Sequence, residues 1–313
     1  QIKRLGASPD WKRLKFTLDN DVSKAVNYVF ISLHKEGLIY KDRRLVNWDT
    51  KLQTAISDLE VEQKEQSGEF YYIKYFLENS KKYLTVATTR PETLFGDCCI
   101  AVNPKDKKYQ KFIGKKVNIP LTKKYIPIMA DSYVDIEKGT GALKVTPAHD
   151  FNDFKIGKKL KIPFYKIFDK NGKFNDKVPV KYKGLDRLLA RNNIVNDLKE
   201  LGYLEKKEKI IHSVPYGDRS GSVIEPYLTD QWFLDVKGLA KEAIKKVKEK
   251  ETEFIPKSWS KVFYSWMDQI EPWCISRQIW WGHQLPVWYG PNNKVFVCDN
   301  QKKALDEAKK YYG

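Results

Sequence analysis

In three segments of the chain, apolar residues recur every three or four positions, the spacing that places them on one face of a helix. These segments cover residues 22–33, 185–201 and about 239–247. The first is followed by Gly37 and the second by Gly202, and glycine is a typical helix stop. The pattern therefore predicts three amphipathic helices.

A second pattern consists of short β-branched or alternating runs that are bounded by Gly, Pro and Asp. The runs are residues 83–88, 99–102, 125–130 and 142–146. Alternation over four to eight residues is typical of half-buried strands. The middle of the chain is thus predicted to be mostly β with helices packed on it, and the fold class to be mixed α/β (α+β).

Length and composition allow about two domains of ordinary size. The chain has 313 residues, of which 42% are apolar, enough to build real cores. No apolar run approaches the roughly 18 residues of a membrane span, and no apolar signal core opens the chain. The four cysteines form no C-x-x-C pair, which favours reduced thiols in a cytoplasmic protein over disulfides or structural zinc. Because the chain opens with Gln1 rather than Met, we expect a piece of a longer protein.

The formal charge of +17 favours a polyanionic partner. Residues 61–205 carry 28 basic and 18 acidic side chains, more than half of the surplus. Much of it lies in a lysine-rich stretch at 105–124, which is either a solvated surface or a footprint for RNA. Lys outnumbers Arg 48 to 9, whereas base readout prefers Arg, so both interpretations stay open.

Two segments, 88–97 and 139–153, concentrate hydroxyl and charged groups at predicted strand ends. Their candidate site residues are Thr88, Thr89, Arg90, Thr93, Lys144, Thr146, His149, Asp150 and Asp153. Hydroxyls, backbone N–H groups and a guanidinium suit an anionic or hydroxylated ligand. Asp150 and Asp153 are three apart, so on a helical turn they share a face that could receive an ammonium group. Both segments also fit capped helix starts with no ligand.

Longer strings carry a family resemblance. They are TTRPETLFGDCCIAVNPKD at 88–106, GTGALKVTPAHDFNDFKIGKKL at 139–160, VPYGDRSGSVIEPYLTDQWF at 214–233 and WCISRQIWWGHQLPVW at 273–288. These strings resemble valyl-tRNA synthetases, which are class I aminoacyl-tRNA synthetases, and RLGASPDW at 4–11 and RLVNWDTKLQTAISDLEVE at 44–62 extend the resemblance nearly end to end. Glu92, Asp97 and the K-x-T-P-A-H-D run are similar to the valine enzyme in particular.

The resemblance implies a fold and an organisation. A β-barrel-like editing (CP1) domain with packed helices is expected, flanked by connecting segments of the synthetase core. The implied regions are 1–60 (connecting segment), 61–207 (editing domain) and 208–313 (return toward the second half of the core). The HIGH-type and KMSKS-type motifs of the synthetic site are absent from the sequence, so we expect no aminoacyl adenylate formation. ATP and Mg then belong to the full-length parent, and editing needs no cofactor.

The resemblance also implies roles. Asp153 would hold the α-ammonium of the ester, Asp150 with Lys144 and Thr146 would read the threonine hydroxyl, and Arg90 with its threonines would cradle the ester and the terminal adenosine. The implied reaction is hydrolysis of threonyl-tRNA(Val), and possibly of threonyl adenylate, by water. The implied partners are tRNA(Val), threonine or valine esters and the remainder of the synthetase chain, without a membrane or a metal. No covalent nucleophile is supported.

Several alternatives stay open. His149 is either a general base or a structural or substrate-positioning residue. Cys98 and Cys99 are expected to pack in a strand. The cluster at Trp273, Trp280, Trp281, Trp288 and Tyr289 either stacks nucleic acid bases or has a core or interdomain role. The alternative functions are the editing region of an isoleucyl- or leucyl-tRNA synthetase and a non-catalytic tRNA-binding module.

Overall fold

The computed structural model describes all 313 residues and divides them into two compact units. One unit combines residues 1–42 with 231–313, and the other contains residues 43–230. The predicted editing region of 61–207 lies inside the second unit, and its limits as a functional domain stay a prediction. No helix combines the length and the apolar character that crossing a bilayer requires.

The regular elements follow one another in a mixed order of helices and strands. The α-helices are α1 (Asn20–Lys35), α2 (Phe151–Leu160), α3 (Arg187–Glu200), α4 (Lys237–Lys248), α5 (Trp259–Asp268) and α6 (Gln301–Tyr312). The strands are β1 (Ile39–Asp49), β2 (Thr54–Ile56), β3 (Val61–Phe76), β4 (Tyr83–Thr88), β5 (Cys99–Val102), β6 (Lys116–Asn118), β7 (Tyr125–Ala130), β8 (Ala142–Val145), β9 (Leu204–Gly217), β10 (Glu225–Leu234), β11 (Trp273–Cys274), β12 (Val287–Tyr289) and β13 (Val295–Val297). Short 3₁₀ helices cover Trp11–Arg13, Asp58–Glu60, Pro91–Gly96, Gln110–Phe112, Val180–Tyr182 and Pro291–Asn293.

The predicted elements are present. The three periodic segments form α1, α3 and α4, and the four short runs form β4, β5, β7 and β8. Helix α3 starts where the sequence signals it, because Asp186 accepts hydrogen bonds from the N–H groups of Leu188 and Leu189. Gly202 follows that helix with a φ of 75°, a conformation that glycine adopts readily.

Two sheets lie wholly within the 43–230 unit and carry much of the candidate site. The long strand β3 lies between β4 and β9 and is antiparallel to both. The second sheet has the order β6-β7-β5-β8, with β5 and β7 parallel. An isolated bridge between Leu77 and Val117 joins the two sheets. The arrangement is the mixed, barrel-like one that the sequence implied, although no continuous ladder closes the strands into a barrel.

The core of this unit includes residues from the strands that carry the candidate site. Inward positions of β3 alternate through Tyr71, Ile73 and Tyr75, as the period of two in a strand requires. They pack with residues of β4, β5 and α3 in one cluster, to which α3 contributes Ala190, Ile194, Val195 and Leu198. A core of this density holds side chains in single rotamers, and polar groups embedded in it are therefore fixed in place.

The other unit has smaller cores. Phe30 of α1 packs with Ile39 and Trp232, and Trp288 packs against a second cluster around Phe296. By contrast, Trp280 and Trp281 are 106% and 81% exposed. A core role for these two tryptophans within this chain was therefore the wrong expectation, while an interdomain role stays a prediction.

Candidate active site

A buried lysine lies at the centre of the site. Lys144, on β8, places its Nζ 2.8 Å from Thr93 Oγ1, 3.0 Å from Asp97 Oδ1 and 2.5 Å from Thr146 Oγ1. Tyr75 donates its hydroxyl to the other carboxylate oxygen of Asp97 over 2.6 Å. We call these five residues, Tyr75, Thr93, Asp97, Lys144 and Thr146, the lysine cluster. All five are buried.

The direction of each hydrogen bond in the lysine cluster is determined. An ammonium group has three N–H donors and no acceptor, so all three donors of Lys144 are used within the cluster. Thr146 accepts from Lys144 and donates to Asp97 Oδ1 over 2.6 Å. Thr93 likewise accepts from Lys144 and donates to the carbonyl of Arg90 over 2.9 Å. A substrate acceptor that enters the cluster must therefore displace an existing partner, whereas a substrate donor can use the second lone pair of either threonine hydroxyl.

The two aspartates of the second motif differ in role. Asp150 is exposed and caps α2, because its Oδ1 accepts from the N–H groups of Asn152 and Asp153 at 2.8 Å and 3.0 Å. Asp153 is buried, and its Oδ2 accepts from the Thr146 N–H at 2.7 Å. The capped-turn interpretation is thus correct for Asp150, although it does not exclude the predicted contact with a substrate.

Asp153 has an unusual titration for an aspartate. Burial, with a smaller contribution from the charge of Asp150, raises the pKa of Asp153 to about 7. Lys144 and the Thr146 N–H oppose this shift without cancelling it. The partner of this carboxylate is an amide rather than a cation. A cationic ligand would therefore find a buried acceptor that lacks a counter-charge.

A second set of charged residues, with buried carboxylates, adjoins the lysine cluster. Glu225 accepts from Arg90 at 2.7 Å and pairs with Arg187 at 3.0 Å, while Glu92 accepts from Arg90 at 3.1 Å and from Arg191 at 2.9 Å. We call these five residues, with His149, the arginine cluster. Burial alone would raise the pKa of Glu225, but the charges of Arg90 and Arg187 and the hydrogen bond from His149 lower it to about 2. Burial would also raise the pKa of Glu92, but the charges of Arg90 and Arg191 lower it below its usual value.

His149 has both ring nitrogens occupied. Its Nε2 accepts from the N–H of Ile167 at 3.1 Å, so its Nδ1 carries the proton and donates to Glu225 at 3.2 Å. Burial lowers the pKa of this imidazole and keeps it neutral. Its backbone carbonyl accepts from Arg90 at 3.0 Å. In this conformation the ring has no nitrogen left for a substrate or a water, which favours the structural or positioning role.

The 88–96 loop, which contains Thr89, Arg90 and Thr93, connects the lysine cluster and the arginine cluster. Thr88 ends β4 and accepts the N–H of Arg90 at 3.0 Å, whereas Thr89 is half-buried at the start of the loop. Three of the five N–H donors of Arg90 are used by Glu92, Glu225 and the carbonyl of residue 149, which leaves two for a ligand. The structure thus brings the predicted residues together around one loop.

Several residues of the site were not predicted from the sequence. Glu225, Arg187 and Arg191 lie far along the chain from the motifs that they contact, and Tyr75 is hidden in an apolar strand. A weak signal existed for two of them. Tyr75 is a hydroxyl-bearing residue at an inward position of an alternating strand, and Glu225 follows the apolar pair Val223 and Ile224. Buried polar groups of this kind need partners.

The remaining candidate groups are not arranged for nucleophilic or metal chemistry. Burial raises the pKa of the Cys98 thiol to about 12, and the neighbouring Cys99 is fully buried in β5. Both are therefore packing residues, as expected. All four cysteines are unpaired, and no group of three or more His, Cys, Asp or Glu side chains is placed to hold a metal ion.

Comparison with known families now adds to this geometry. Residues 1–311 match the sequence profile described as tRNA synthetases class I (I, L, M and V). Because the match covers almost the whole chain, the chain belongs to this family of class I tRNA synthetases.

Individual relatives are more specific than the family profile. The chain is 54% identical over 312 residues to a valine--tRNA ligase of Pelagibacter ubique, and 51% identical over 334 residues to one of Rhodopseudomonas palustris. A valine--tRNA ligase of Legionella pneumophila is 51% identical over 297 residues. The chain is covered by 100%, 100% and 95% in these matches, but it spans only 36%, 35% and 32% of the relatives.

Proposed function

We propose that this chain is the editing part of a valine--tRNA ligase. It hydrolyses the ester bond that links threonine to tRNA(Val) when threonine has been attached in error. The parent enzyme would attach valine to that tRNA with ATP and Mg. The observation that carries the proposal is the lysine cluster beside Asp153, a buried set of hydroxyl, ammonium and carboxylate groups. The family membership and the valine--tRNA ligase relatives support it.

Asp153 suits the α-ammonium of an aminoacyl ester. Its carboxylate is buried beside the Thr146 N–H, and its pKa of about 7 reflects a charge without adequate compensation. A cation that binds there would lower this pKa and favour the ionised form. Every aminoacyl ester carries such a cation, so this contact would serve recognition of the substrate class rather than of one side chain.

The hydroxyl groups suit discrimination of threonine from valine. A hydrophobic pocket rejects an isostere with an added hydroxyl only weakly, so accurate charging of valine needs a second site that prefers the hydroxyl. Thr93, Thr146 and Lys144 offer donors and acceptors in a dry environment. A threonine hydroxyl can donate a hydrogen bond to one of these oxygens, whereas a valine side chain that displaces an existing partner cannot replace its hydrogen bond, at a cost of about 1–3 kcal/mol.

The proposed hydrolysis uses water and needs no covalent intermediate. Water attacks the ester carbonyl carbon, and the bond from that carbon to the 3′ or 2′ oxygen of the ribose breaks. The departing oxygen receives a proton from the attacking water, relayed by the neighbouring ribose hydroxyl. Lys144 or backbone N–H groups of the 88–96 loop would stabilise the negative charge that develops on the carbonyl oxygen. The two remaining N–H donors of Arg90 would position the terminal adenosine or the ester.

A non-catalytic tRNA-binding module is the second candidate function, which the charge of +17 favours. The buried position of Asp153 argues for the enzyme, since contact with an RNA backbone requires no buried carboxylate. Editing for an isoleucine or leucine enzyme is the third candidate.

A deacylation assay separates these functions. The 313-residue chain is incubated with threonyl-tRNA(Val), valyl-tRNA(Val) and isoleucyl-tRNA(Ile), and the release of each amino acid is followed. We expect rapid release of threonine and slow release of the other two, and no release by Lys144→Met. Binding without hydrolysis would support the tRNA-binding module instead.

A further inference from the structure

Asp97 is the most completely enclosed charge in the lysine cluster. Its exposed fraction is 0%, and it lies between the 88–96 loop and β5. Its Oδ1 accepts from both Lys144 and Thr146, and its Oδ2 accepts from Tyr75. Asp97 is therefore the only group that contacts the ammonium, the threonine hydroxyl and the core strand β3 together.

Tyr75 fixes the orientation of that carboxylate. The tyrosine ring is fully buried in the core, where it cannot change rotamer without displacing its neighbours. Burial and the charge of Asp97 raise the pKa of Tyr75 well above its usual range, so the hydroxyl stays a donor. A carboxylate held at one oxygen presents the other oxygen in a single direction.

We infer that Asp97 and Tyr75 form a positioning pair that orients Lys144 and the Thr146 hydroxyl, and so determines the preference for threonine in the deacylation reaction. This inference rests on the proposed function. The Thr146 hydroxyl donates its hydrogen bond to the carboxylate of Asp97, so its oxygen can act only as an acceptor, with one lone pair used by Lys144 and one left. A threonine hydroxyl of the substrate can donate to the second lone pair of that oxygen, whereas a valine side chain has no group that can do so.

The pair acts through other residues and does not touch the reacting atoms. Loss of the Tyr75 hydroxyl would let the carboxylate rotate, and both Lys144 and Thr146 would lose their fixed directions. This would slow the chemical step for threonine more than for valine, because the valine ester does not use the directed hydroxyl. A role in folding alone would change the two esters in parallel.

The test compares Tyr75→Phe with Tyr182→Phe. Tyr182 is a matched control, since its ring is buried in the same core and its hydroxyl also donates to an aspartate, Asp197. We expect Tyr75→Phe to lower kcat for threonyl-tRNA(Val) about tenfold, the order of one charged hydrogen bond, with KM nearly unchanged. The ratio of the deacylation rates for threonyl-tRNA(Val) and valyl-tRNA(Val) should fall as well. Tyr182→Phe should change neither this ratio nor kcat.

A second variant, Asp97→Asn, keeps the shape and removes the charge, and we expect a larger loss of threonine hydrolysis. Because this variant could fail to fold, urea unfolding is measured alongside, and Tyr75→Phe decides the question by itself. An unchanged ratio in Tyr75→Phe, with an active wild type, overturns the positioning role alone. A wild-type chain without any hydrolysis overturns the proposed function and this inference together.

Discussion

The lysine cluster and the arginine cluster both contain buried carboxylates, but they differ in how strongly these charges are compensated. In the arginine cluster, each carboxylate faces two guanidinium groups, which cannot lose their protons. In the lysine cluster, one ammonium is surrounded mostly by hydroxyls, which can donate or accept. Asp153 beside it has a pKa of about 7, against about 2 for Glu225.

This difference separates two uses of buried charge. The negative charge of Glu225 is compensated by the guanidinium groups of Arg90 and Arg187, and the carboxylate also accepts from His149. The negative charge of Asp153 is only partly compensated by its neighbours, so a cationic ligand can supply further compensation. Burial by itself therefore does not identify a reactive group. The balance of charge around a buried group is the better guide, since a buried charge that is only partly compensated is stabilised when a ligand of opposite charge binds.

The largest effect is expected from breaking the arginine cluster. Glu225→Gln leaves the buried Arg187 and the half-exposed Arg90 without their common carboxylate, and we expect a loss of about 3–5 kcal/mol in the free energy of unfolding. Urea denaturation measures it. Glu208→Gln, at an exposed glutamate on β9, is the control and should leave the free energy of unfolding nearly unchanged. Equal stability of the two variants would show that the arginines find other partners.

Removal of the undercompensated carboxylate should affect activity more than folding. Asp153→Ala is expected to abolish hydrolysis of all esters, a loss of about 2–5 kcal/mol in transition-state stabilisation, because the substrate ammonium loses its partner. Single-turnover deacylation measures it. Asp131→Asn is the control, since Asp131 is also buried but pairs with the exposed Lys159 away from the site. A loss confined to threonine would contradict a role in holding the ammonium.

The two carboxylates should also respond to pH with opposite signs. The pKa of Asp153 is higher in the folded chain than in the unfolded one, so between about pH 4 and 7 the folded state binds more protons and stability falls as pH rises. The pKa of Glu225 is lower when folded, so its contribution is present above about pH 4.5 and is lost as pH falls toward 2.

Urea unfolding of the wild type and of Asp153→Asn at pH 5 and pH 7 tests the first of these signs. The wild type should lose about 2–3 kcal/mol relative to the variant over these two pH units. Deacylation by the wild type should rise through about pH 7 as Asp153 ionises. A constant difference between wild type and variant would contradict the raised pKa of Asp153 in the folded chain.

A smaller effect is expected at Asp150, where capping and recognition can be separated. Asp150→Ala removes the α2 cap and should cost about 0.5–2 kcal/mol of stability, whereas Asp150→Asn keeps the cap. If Asp150 accepts from the threonine hydroxyl, Asp150→Ala should reduce threonine hydrolysis more than valine hydrolysis. Deacylation of both esters by both variants measures this, and equal proportional losses would leave only the capping role.

The smallest effect concerns the surface. Lys115 and Lys116 are exposed, and reversing both charges to Glu should weaken tRNA binding and reduce the slope of log K against log salt by about two units. Turnover of bound ester should not change, because neither lysine belongs to the lysine cluster. Filter binding at several salt concentrations measures it. An unchanged affinity would assign this stretch to a solvated surface.

The local elements could be predicted from short stretches of sequence, and so could the segments that supply the candidate site residues. Helical periodicity placed α1, α3 and α4, and β-branched runs placed β4 and β5, because these patterns reflect neighbours a few positions apart. The motifs at 88–97 and 139–153 also indicated two segments that contact each other in the structure. Even the cap of α2 by Asp150 could be read from spacing, since a cap involves residues only two or three positions away.

The partners of the candidate site residues depend instead on contacts between distant parts of the chain. Arg90 meets Glu225 across 135 positions, and Tyr75 meets Asp97 across 22, distances over which no periodicity applies. The proton position of His149, the exposure of Trp280 and the raised pKa of Asp153 likewise depend on packing. Charge compensation is a sum over all neighbours in space, and a linear pattern contains only the neighbours along the chain.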